Sequence, residues 1–297
     1  MKFDKKQIPL ILIIVMFFWA WMHPLSKVLV GHVPPNLLSF LRFGLGAIAL
    51  YIYARLSKKS LKIKREDVLP LALIGLSGIS ISVPLLFIGL NLTTVTTTSI
   101  LINTSPIMIA ILSPFLIKEV PKKEQIAGIL VAFLGMILVV TNGRSFDALL
   151  ASQYFYGNML VLASALFVAL YVIYGKKYIK KYGGFTASFY TTFFGTVILF
   201  FMTLASGEMP EIVKLNLSDW IIIFYLGAIV AGLLFTIYYS SIKYLGTAKA
   251  SSFKLLIPVY ATSLAVLFLG ETLSFYIFVG GALVLCGLFL TNKEELV

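Results

Sequence analysis

Residues 106–135 read PIMIAILSPFLIKEVPKKEQIAGILVAFLG, and residues 258–287 read PVYATSLAVLFLGETLSFYIFVGGALVLCG. Without a gap, the two stretches share a proline, a glutamate and two glycines: Pro106 and Pro258, Glu119 and Glu271, Gly128 and Gly280, Gly135 and Gly287. The same shift of 152 residues places Asp67 on Asp219 and Gly75 on Gly227. We therefore predict that the second half of the chain repeats the fold of the first.

The repeat extends toward the beginning of the chain with a slightly different shift. A shift of 149 residues aligns Lys27 with Lys176 and Gly46 with Gly195. The difference of three residues between the two shifts fits an insertion in one loop. The predicted repeats are residues 1–145 and residues 150–297, which we expect to form one intertwined membrane domain.

The composition predicts an all-α integral membrane protein. Of its 297 residues, 60% are hydrophobic and 12% are charged, and the mean hydropathy is +0.99, so water could not solvate such a surface. A helix needs about 20 apolar residues to cross a bilayer, and ten such stretches occur. The predicted spans are residues 8–30, 35–56, 68–90, 96–117, 124–141, 157–175, 184–206, 219–242, 250–269 and 274–291.

The basic residues indicate how these spans are oriented. Cytoplasmic loops carry an excess of Lys and Arg, and the loops on one predicted side hold 19 of them. The loops on the other side hold two, Arg144 and Lys214, while Lys27, Arg42 and Lys254 fall within spans. We therefore predict a multi-pass protein of the plasma membrane with both termini cytoplasmic. This asymmetry also explains the net charge of +12 without nucleic acid binding.

The number of spans in each repeat determines how the two repeats are related. Each predicted repeat contains five spans, an odd number, so the second copy enters the membrane from the opposite side. Two inverted repeats related by a pseudo-twofold axis in the membrane plane can expose a central cavity first to one side and then to the other. This architecture favours a transporter that works by alternating access.

At these same positions the chain resembles the EamA-like family of the drug/metabolite transporter superfamily. In each half, a helix rich in small polar residues leads to Pro and then to Glu at the helix end, in residues 99–119 and 251–271. Residues 19–27, WAWMHPLSK, and the pair Leu41-Arg42 are also similar to that family. The resemblance implies a ten-helix bundle around a central cavity and, commonly, export of amino acids or related metabolites. The chain departs from the family in Ala20, where Gly is usual, and in His23 before Pro24.

Polar residues inside the predicted spans are candidates for substrate binding. Trp19, His23 and Lys27 are spaced by four residues and so lie on one face of a helix. Counting helical rise along each span places His23, Arg42 and Asn103 at a similar depth, which indicates a polar layer in a cavity. For Arg42 a structural role, bonding backbone carbonyls, stays open, as does interhelical hydrogen bonding for Asn103.

Three further residues are weaker candidates. Lys254 lies one turn before Pro258, where it either faces the cavity and binds an anionic group or extends to the lipid headgroups. The headgroup interpretation is preferred for Lys27. Tyr238 is interpreted equally well as a core residue or as a cavity wall.

The aligned prolines and glutamates are assigned to structure or gating. Pro106 and Pro258 each free a backbone carbonyl one turn earlier and are expected to bend their helices, which shapes the cavity or forms a gate. Glu119 and Glu271 lie at helix C-terminal ends, where the dipole disfavours an anion. We expect each to pair with a donor or to bind the backbone amides of a helix start.

The leading functional hypothesis is a secondary transporter of a small metabolite. The chain lacks a phosphate-binding loop, and its predicted spans lack the paired Asp or His-Glu-x-x-His clusters of intramembrane enzymes. Because the candidate site is basic and aromatic, an amino acid or related anionic or zwitterionic solute is preferred to a lipophilic cation. Any proton coupling is assigned to His23, with uncoupled facilitation as the alternative.

The sequence predicts few partners beyond the substrate and membrane lipid. We expect no cofactor and no metal, since a single cysteine, Cys286, lies in the last apolar run. Gly128, Gly135, Gly280 and Gly287, spaced by seven residues within each repeat, predict close helix contact. Whether that contact is internal or joins the protomers of a homodimer stays open at this point.

Overall fold

The computed structural model describes residues 7–118, 123–245 and 253–292, and these residues form helices and short connections, with no strand among them. The α-helices are α1 (Ile8–Ala20), α2 (Met22–Val30), α3 (Pro35–Leu56), α4 (Val68–Gly75), α5 (Ser82–Leu92), α6 (Val95–Ile102), α7 (Ser105–Leu116), α8 (Lys123–Thr141), α9 (Phe146–Leu150), α10 (Gln153–Tyr182), α11 (Gly184–Ala205), α12 (Leu217–Phe224), α13 (Phe235–Leu245), α14 (Leu256–Leu269) and α15 (Phe275–Asn292). Two π-helical segments, Leu76–Ile81 and Tyr225–Leu234, join α4 to α5 and α12 to α13. Single 3-10 segments lie at Arg65–Asp67, Met209–Lys214 and Phe253–Leu255.

Helix occupies every interval in which the sequence predicts a span. In the described part of the chain, seven helical stretches are long and apolar enough to cross a membrane. Three shorter apolar helices, Ile126–Thr141, Phe253–Leu269 and Phe275–Leu290, coincide with the remaining predicted spans. The all-helical, multi-pass membrane class is therefore confirmed.

Prolines explain where two of the long helices are interrupted. Proline lacks an N–H, and its ring clashes with the carbonyl four residues earlier. That earlier residue is Ala20 for Pro24 and Ile102 for Pro106, and α1 and α6 end at those two residues. Each of these two spans therefore consists of two helices separated by a short break.

The crossing of α8 and α15 is the close helix contact that the sequence predicts from its spaced glycines. A Cβ atom built on Gly135 would lie 2.5 Å from the carbonyl oxygen of Gly280, and one built on Gly287 would lie 2.5 Å from that of Gly128. Only glycines permit backbones to approach this closely. The contact is internal to the chain, so these glycines supply no argument for a homodimer.

A second pair of glycine contacts links α3 to the π segment before α13, and α4 to α11. A Cβ atom on Gly46 would lie 3.6 Å from the Gly227 carbonyl oxygen, and one on Gly75 would lie 2.9 Å from the Gly195 nitrogen. In the sequence alignment Gly46 corresponds to Gly195, and Gly75 corresponds to Gly227. The contact between Gly75 and Gly195 therefore joins the counterparts of Gly227 and Gly46, which form the first contact.

Candidate functional site

A lysine lies over two aromatic rings inside the bundle. The Nζ atom of Lys254 is 4.4 Å from the ring centroid of Tyr238 and 5.6 Å from that of Trp19. The two rings meet edge to face with their centroids 6.0 Å apart. Such an ammonium–ring contact contributes about 2 kcal/mol when it is desolvated. The structure thus brings together three residues that the sequence analysis selected from three different spans.

Arg42 is the second cation inside the bundle, and it is buried. Arg42 lies on α3 and is only 7% exposed. One of its Nη atoms contacts the sulfur of Met22 at 2.6 Å. The guanidinium carbon lies 5.2 Å from the ring centroid of Phe43 and 5.8 Å from that of Phe87. The Nε atom is buried without a hydrogen-bond partner among the described residues. A guanidinium held by sulfur and ring faces keeps donors free for an anion.

The other two members of the predicted polar layer differ in their surroundings. His23, on α2, is buried, with 3% of its surface exposed. Asn103 lies in the break between α6 and α7, and its amide donates to the Ser99 carbonyl at 2.6 Å. Among the described residues, the Asn103 amide therefore bonds to a carbonyl of its own interrupted helix and not to another helix.

Lys27 holds the end of a neighbouring helix. Its ammonium donates to the carbonyl oxygens of Leu90, Asn91 and Thr93 at 2.7, 3.1 and 2.8 Å. These carbonyls belong to the C-terminal end of α5, where orphan acceptors and the helix dipole favour a cation. The preferred sequence interpretation, in which Lys27 reaches the lipid headgroups, is wrong.

Glu271 binds the start of the next helix after α5, which is α6. Its two carboxylate oxygens accept from the backbone nitrogens of Val95 and Thr96 at 2.6 and 3.0 Å, at the N-terminus of α6. Lys27 thus binds carbonyls at the end of α5, and Glu271 binds amides at the start of α6. Together they hold the turn that joins the two helices, residues 93–96. We call this arrangement the turn clasp. Glu119, the aligned counterpart of Glu271, lies outside the described residues.

Two aspartates at helix starts make matching contacts with basic side chains. Asp67, just before α4, accepts from Lys181 at 2.5 Å and also from the hydroxyl of Tyr182. Asp219, in the first turn of α12, lies 3.0 Å from the His32 ring nitrogen. By the sequence shifts, Asp67 corresponds to Asp219, and His32 corresponds to Lys181. The sequence analysis aligned the two aspartates but missed both of their partners.

The similarity of the chain to known proteins identifies its family. The sequence model of the EamA-like transporter family matches the chain twice, over residues 7–141 and again over residues 155–293. The chain belongs to the EamA-like transporter family. The family resemblance predicted from the sequence is thereby confirmed, and the helical spans are those of a membrane transporter.

Relatives of this EamA-like transporter include proteins from archaea and bacteria. An uncharacterized transporter of Archaeoglobus fulgidus is 26% identical over 96% of this chain and 97% of its own length. A probable terminal-alkyne amino-acid exporter of Streptantibioticus cattleyicolor is 27% identical over 100% of this chain and 96% of its own length. A crystal structure 19% identical in sequence superposes with a TM-score of 0.62, covering 98% of this chain and 99% of that one, so the fold is shared.

Proposed function

We propose that this EamA-like transporter exports an amino acid or a related anionic or zwitterionic metabolite. The observation that carries the proposal is a pair of cations inside the bundle, the buried Arg42 and the partly buried Lys254. Within the described part of the chain, neither forms an ion pair with a carboxylate. Burying an unpaired charge costs several kcal/mol, and intramembrane charges usually mark a substrate pathway. A substrate carboxylate would supply the missing partner.

The aromatic surroundings of the two cations fit the rest of such a substrate. Trp19 and Tyr238 present apolar ring surface beside Lys254, while Phe43 and Phe87 do so beside Arg42. An apolar side chain packs against such surfaces. The name of the Streptantibioticus relative, an amino-acid exporter, supports the same substrate class.

The competing substrate class is a lipophilic cation. Aromatic rings attract cations, but here the ammonium of Lys254 already lies over Tyr238 and Trp19. A second cation would displace Lys254 or be repelled by it. This contact therefore favours the anionic or zwitterionic class.

For the mechanism we propose alternating access between two inverted five-helix repeats, residues 1–145 and 150–297, with ten spans in all. Three observations support it. The family model matches once in each proposed repeat. The glycine contacts occur in pairs whose members correspond under the sequence alignment. The π segments Leu76–Ile81 and Tyr225–Leu234 overlap when the chain is shifted by 152 residues.

We further propose that the protein lies in the plasma membrane with both termini in the cytoplasm. The support is the distribution of basic residues, 19 on one side and two on the other. In this orientation the turn clasp and the pair His32–Asp219 lie on the outer side. The pair Lys181–Asp67 then lies on the cytoplasmic side.

The proposed function is tested by counterflow in liposomes that contain the purified protein. We expect radiolabelled L-amino acids from a panel to exchange in the wild type, and the exchange rate to fall about tenfold or more in Lys254→Gln, since one charged partner is lost. Lys214→Gln is the matched control, because Lys214 is exposed and pairs with Glu211 at 2.8 Å. Exchange of tetraphenylphosphonium without exchange of any amino acid would overturn the proposed substrate class.

A further inference from the structure

A polar cavity that the proposed transport site does not include lies beside the turn clasp. Its volume is about 230 Å³, and it is formed where the turn between α5 and α6, the end of α8, and the starts of α10 and α15 come together. Binding pockets for drug-sized ligands measure roughly 300–1,000 Å³. This cavity suits a smaller solute, of the size of a short carboxylic acid or an amino acid.

Among the described residues, the only charged one that lines this cavity is a cation, Arg144. Arg144 donates one hydrogen bond, from an Nη atom to the Ser152 hydroxyl, and its guanidinium carbon lies 5.3 Å from the ring centroid of Tyr154. It forms no ion pair with any described residue. A guanidinium has five N–H donors, so four of those on Arg144 are left for another acceptor.

Two amides in the cavity wall add further donors. Asn158 is 3% exposed, and its amide oxygen accepts from the Thr93 hydroxyl at 2.7 Å. The amide oxygen of Asn142 accepts in the same way from the Ser274 hydroxyl. In both amides the NH₂ group has no hydrogen-bond partner in the parts of the chain that the structure describes. The cavity therefore offers donors from one guanidinium and two amides, and none of the described residues in its wall carries a carboxylate.

The position of Arg144 in the sequence makes its charge unusual. In the proposed orientation it is one of two basic residues in the outer loops, where such residues are depleted. The other, Lys214, is neutralised by Glu211. Arg144 thus carries an unpaired positive charge on the side of the membrane where basic residues are depleted. This charge lies in the wall of a cavity whose amide groups also offer hydrogen-bond donors.

We propose that this cavity is an outer binding site for a small carboxylate, held by Arg144 with the amides of Asn142 and Asn158. The site rests on the proposed orientation of the transporter, and it is separate from Arg42 and Lys254. Thr93 and Thr94 of the α5–α6 turn, and Thr97 in the first turn of α6, also line it. A carboxylate bound here therefore lies against the turn that Lys27 and Glu271 hold, where a solute leaving or approaching the transporter from outside would pass.

The proposal is tested by the charge preference of a cysteine placed in the cavity. Thr272 lines the cavity and is exposed, so Thr272→Cys in a Cys286→Ser background provides one thiol there. The impermeant probes are the anion sulfonatoethyl methanethiosulfonate and the cation trimethylammonioethyl methanethiosulfonate, added outside intact cells. We expect the anion-to-cation ratio of reaction rates to fall by about tenfold in Arg144→Gln, and to stay unchanged in Lys214→Gln.

A protection arm tests binding as well as charge. Acetate should slow labelling by the anionic probe, whereas acetamide, which has the same shape without the charge, should not. Arg144→Lys should keep the charge preference but lose much of the acetate protection, because Lys lacks the bidentate geometry. That variant also serves if Arg144→Gln fails to fold.

Three outcomes of this experiment are distinct. Equal rate ratios in wild type and Arg144→Gln, or equal protection by acetate and acetamide, would overturn the carboxylate site. Labelling of Thr272→Cys only in permeabilised cells would overturn the outer location. Because labelling requires no transport, either result leaves the counterflow test of the proposed function independent.

Discussion

Replacing Glu271 by Gln should loosen the start of α6. The carboxylate accepts from two backbone nitrogens, at 2.6 Å from Val95 and 3.0 Å from Thr96. Gln keeps one oxygen acceptor but turns the other into an NH₂ group, which faces an N–H donor. The change also removes the negative charge from the positive end of the helix dipole.

The size of the effect follows from these contacts. A hydrogen bond to a charged group contributes about 1.5–3 kcal/mol, and a charge at a helix terminus adds about 0.3–1 kcal/mol. Losing one such bond and the charge should therefore lower the free energy of local opening by about 2 kcal/mol. Since 1.4 kcal/mol corresponds to a factor of ten, amide hydrogens in this turn should exchange roughly 30-fold faster.

The assay is hydrogen–deuterium exchange of the purified protein in lipid nanodiscs, followed in peptides that cover residues 93–98. Glu211→Gln is the matched control, because Glu211 is also predicted to lie on the outer side and pairs with Lys214 in an exposed contact. Exchange in this peptide should match the wild type in the control. If Glu271→Gln changed exchange by less than about threefold, our account of the turn clasp would be refuted.

Three further predictions concern packing, binding and orientation. Gly280→Ala would place a Cβ atom 2.7 Å from the Gly135 carbonyl oxygen. The thermal midpoint of unfolding of this variant should therefore fall by several degrees. Gly175→Ala is the control, because nothing lies within 4 Å of the added Cβ atom, and its midpoint should stay unchanged or rise slightly. Arg42→Ala should abolish counterflow in liposomes with little loss of folded protein, and Arg42→Lys should retain part of it; wild-type rates in the alanine variant would remove Arg42 from the site. A single cysteine at Lys214 should react with impermeant reagents from outside and one at Arg65 only from the cytoplasm, and reaction of both from the same side would exclude the proposed orientation.

The helices were predictable because lipid imposes a simple requirement on them. Helix α3 has the predicted limits of residues 35 and 56, since a pair of prolines begins it and Ser57 with two lysines follows it. Helix α10 instead continues to Tyr182, seven residues beyond the predicted span, through four lysines. Hydropathy locates the hydrocarbon boundary, whereas a helix ends where its capping and packing end.

The site was predictable only in part, because apolar partners leave no local signal. Trp19 and Lys254 stood out as an aromatic and a charged residue within spans, and the structure brings them together. Met22 and Phe87, which surround Arg42, are apolar residues in apolar runs. The acceptors of Lys27 are backbone carbonyls, which every residue carries, so side-chain patterns contain no trace of them.

The crossing of α8 and α15 also bears on how such a chain could have originated. Gly135 meets Gly280, and Gly128 meets Gly287, so each glycine touches the counterpart of its own neighbour on the same helix. This is the pattern of an isologous dimer interface, in which one patch is complementary to a second copy of itself. A polypeptide of half the length, inserted into the membrane in both directions, would already possess this contact. Joining two such genes would then have preserved an existing interface without requiring a new one.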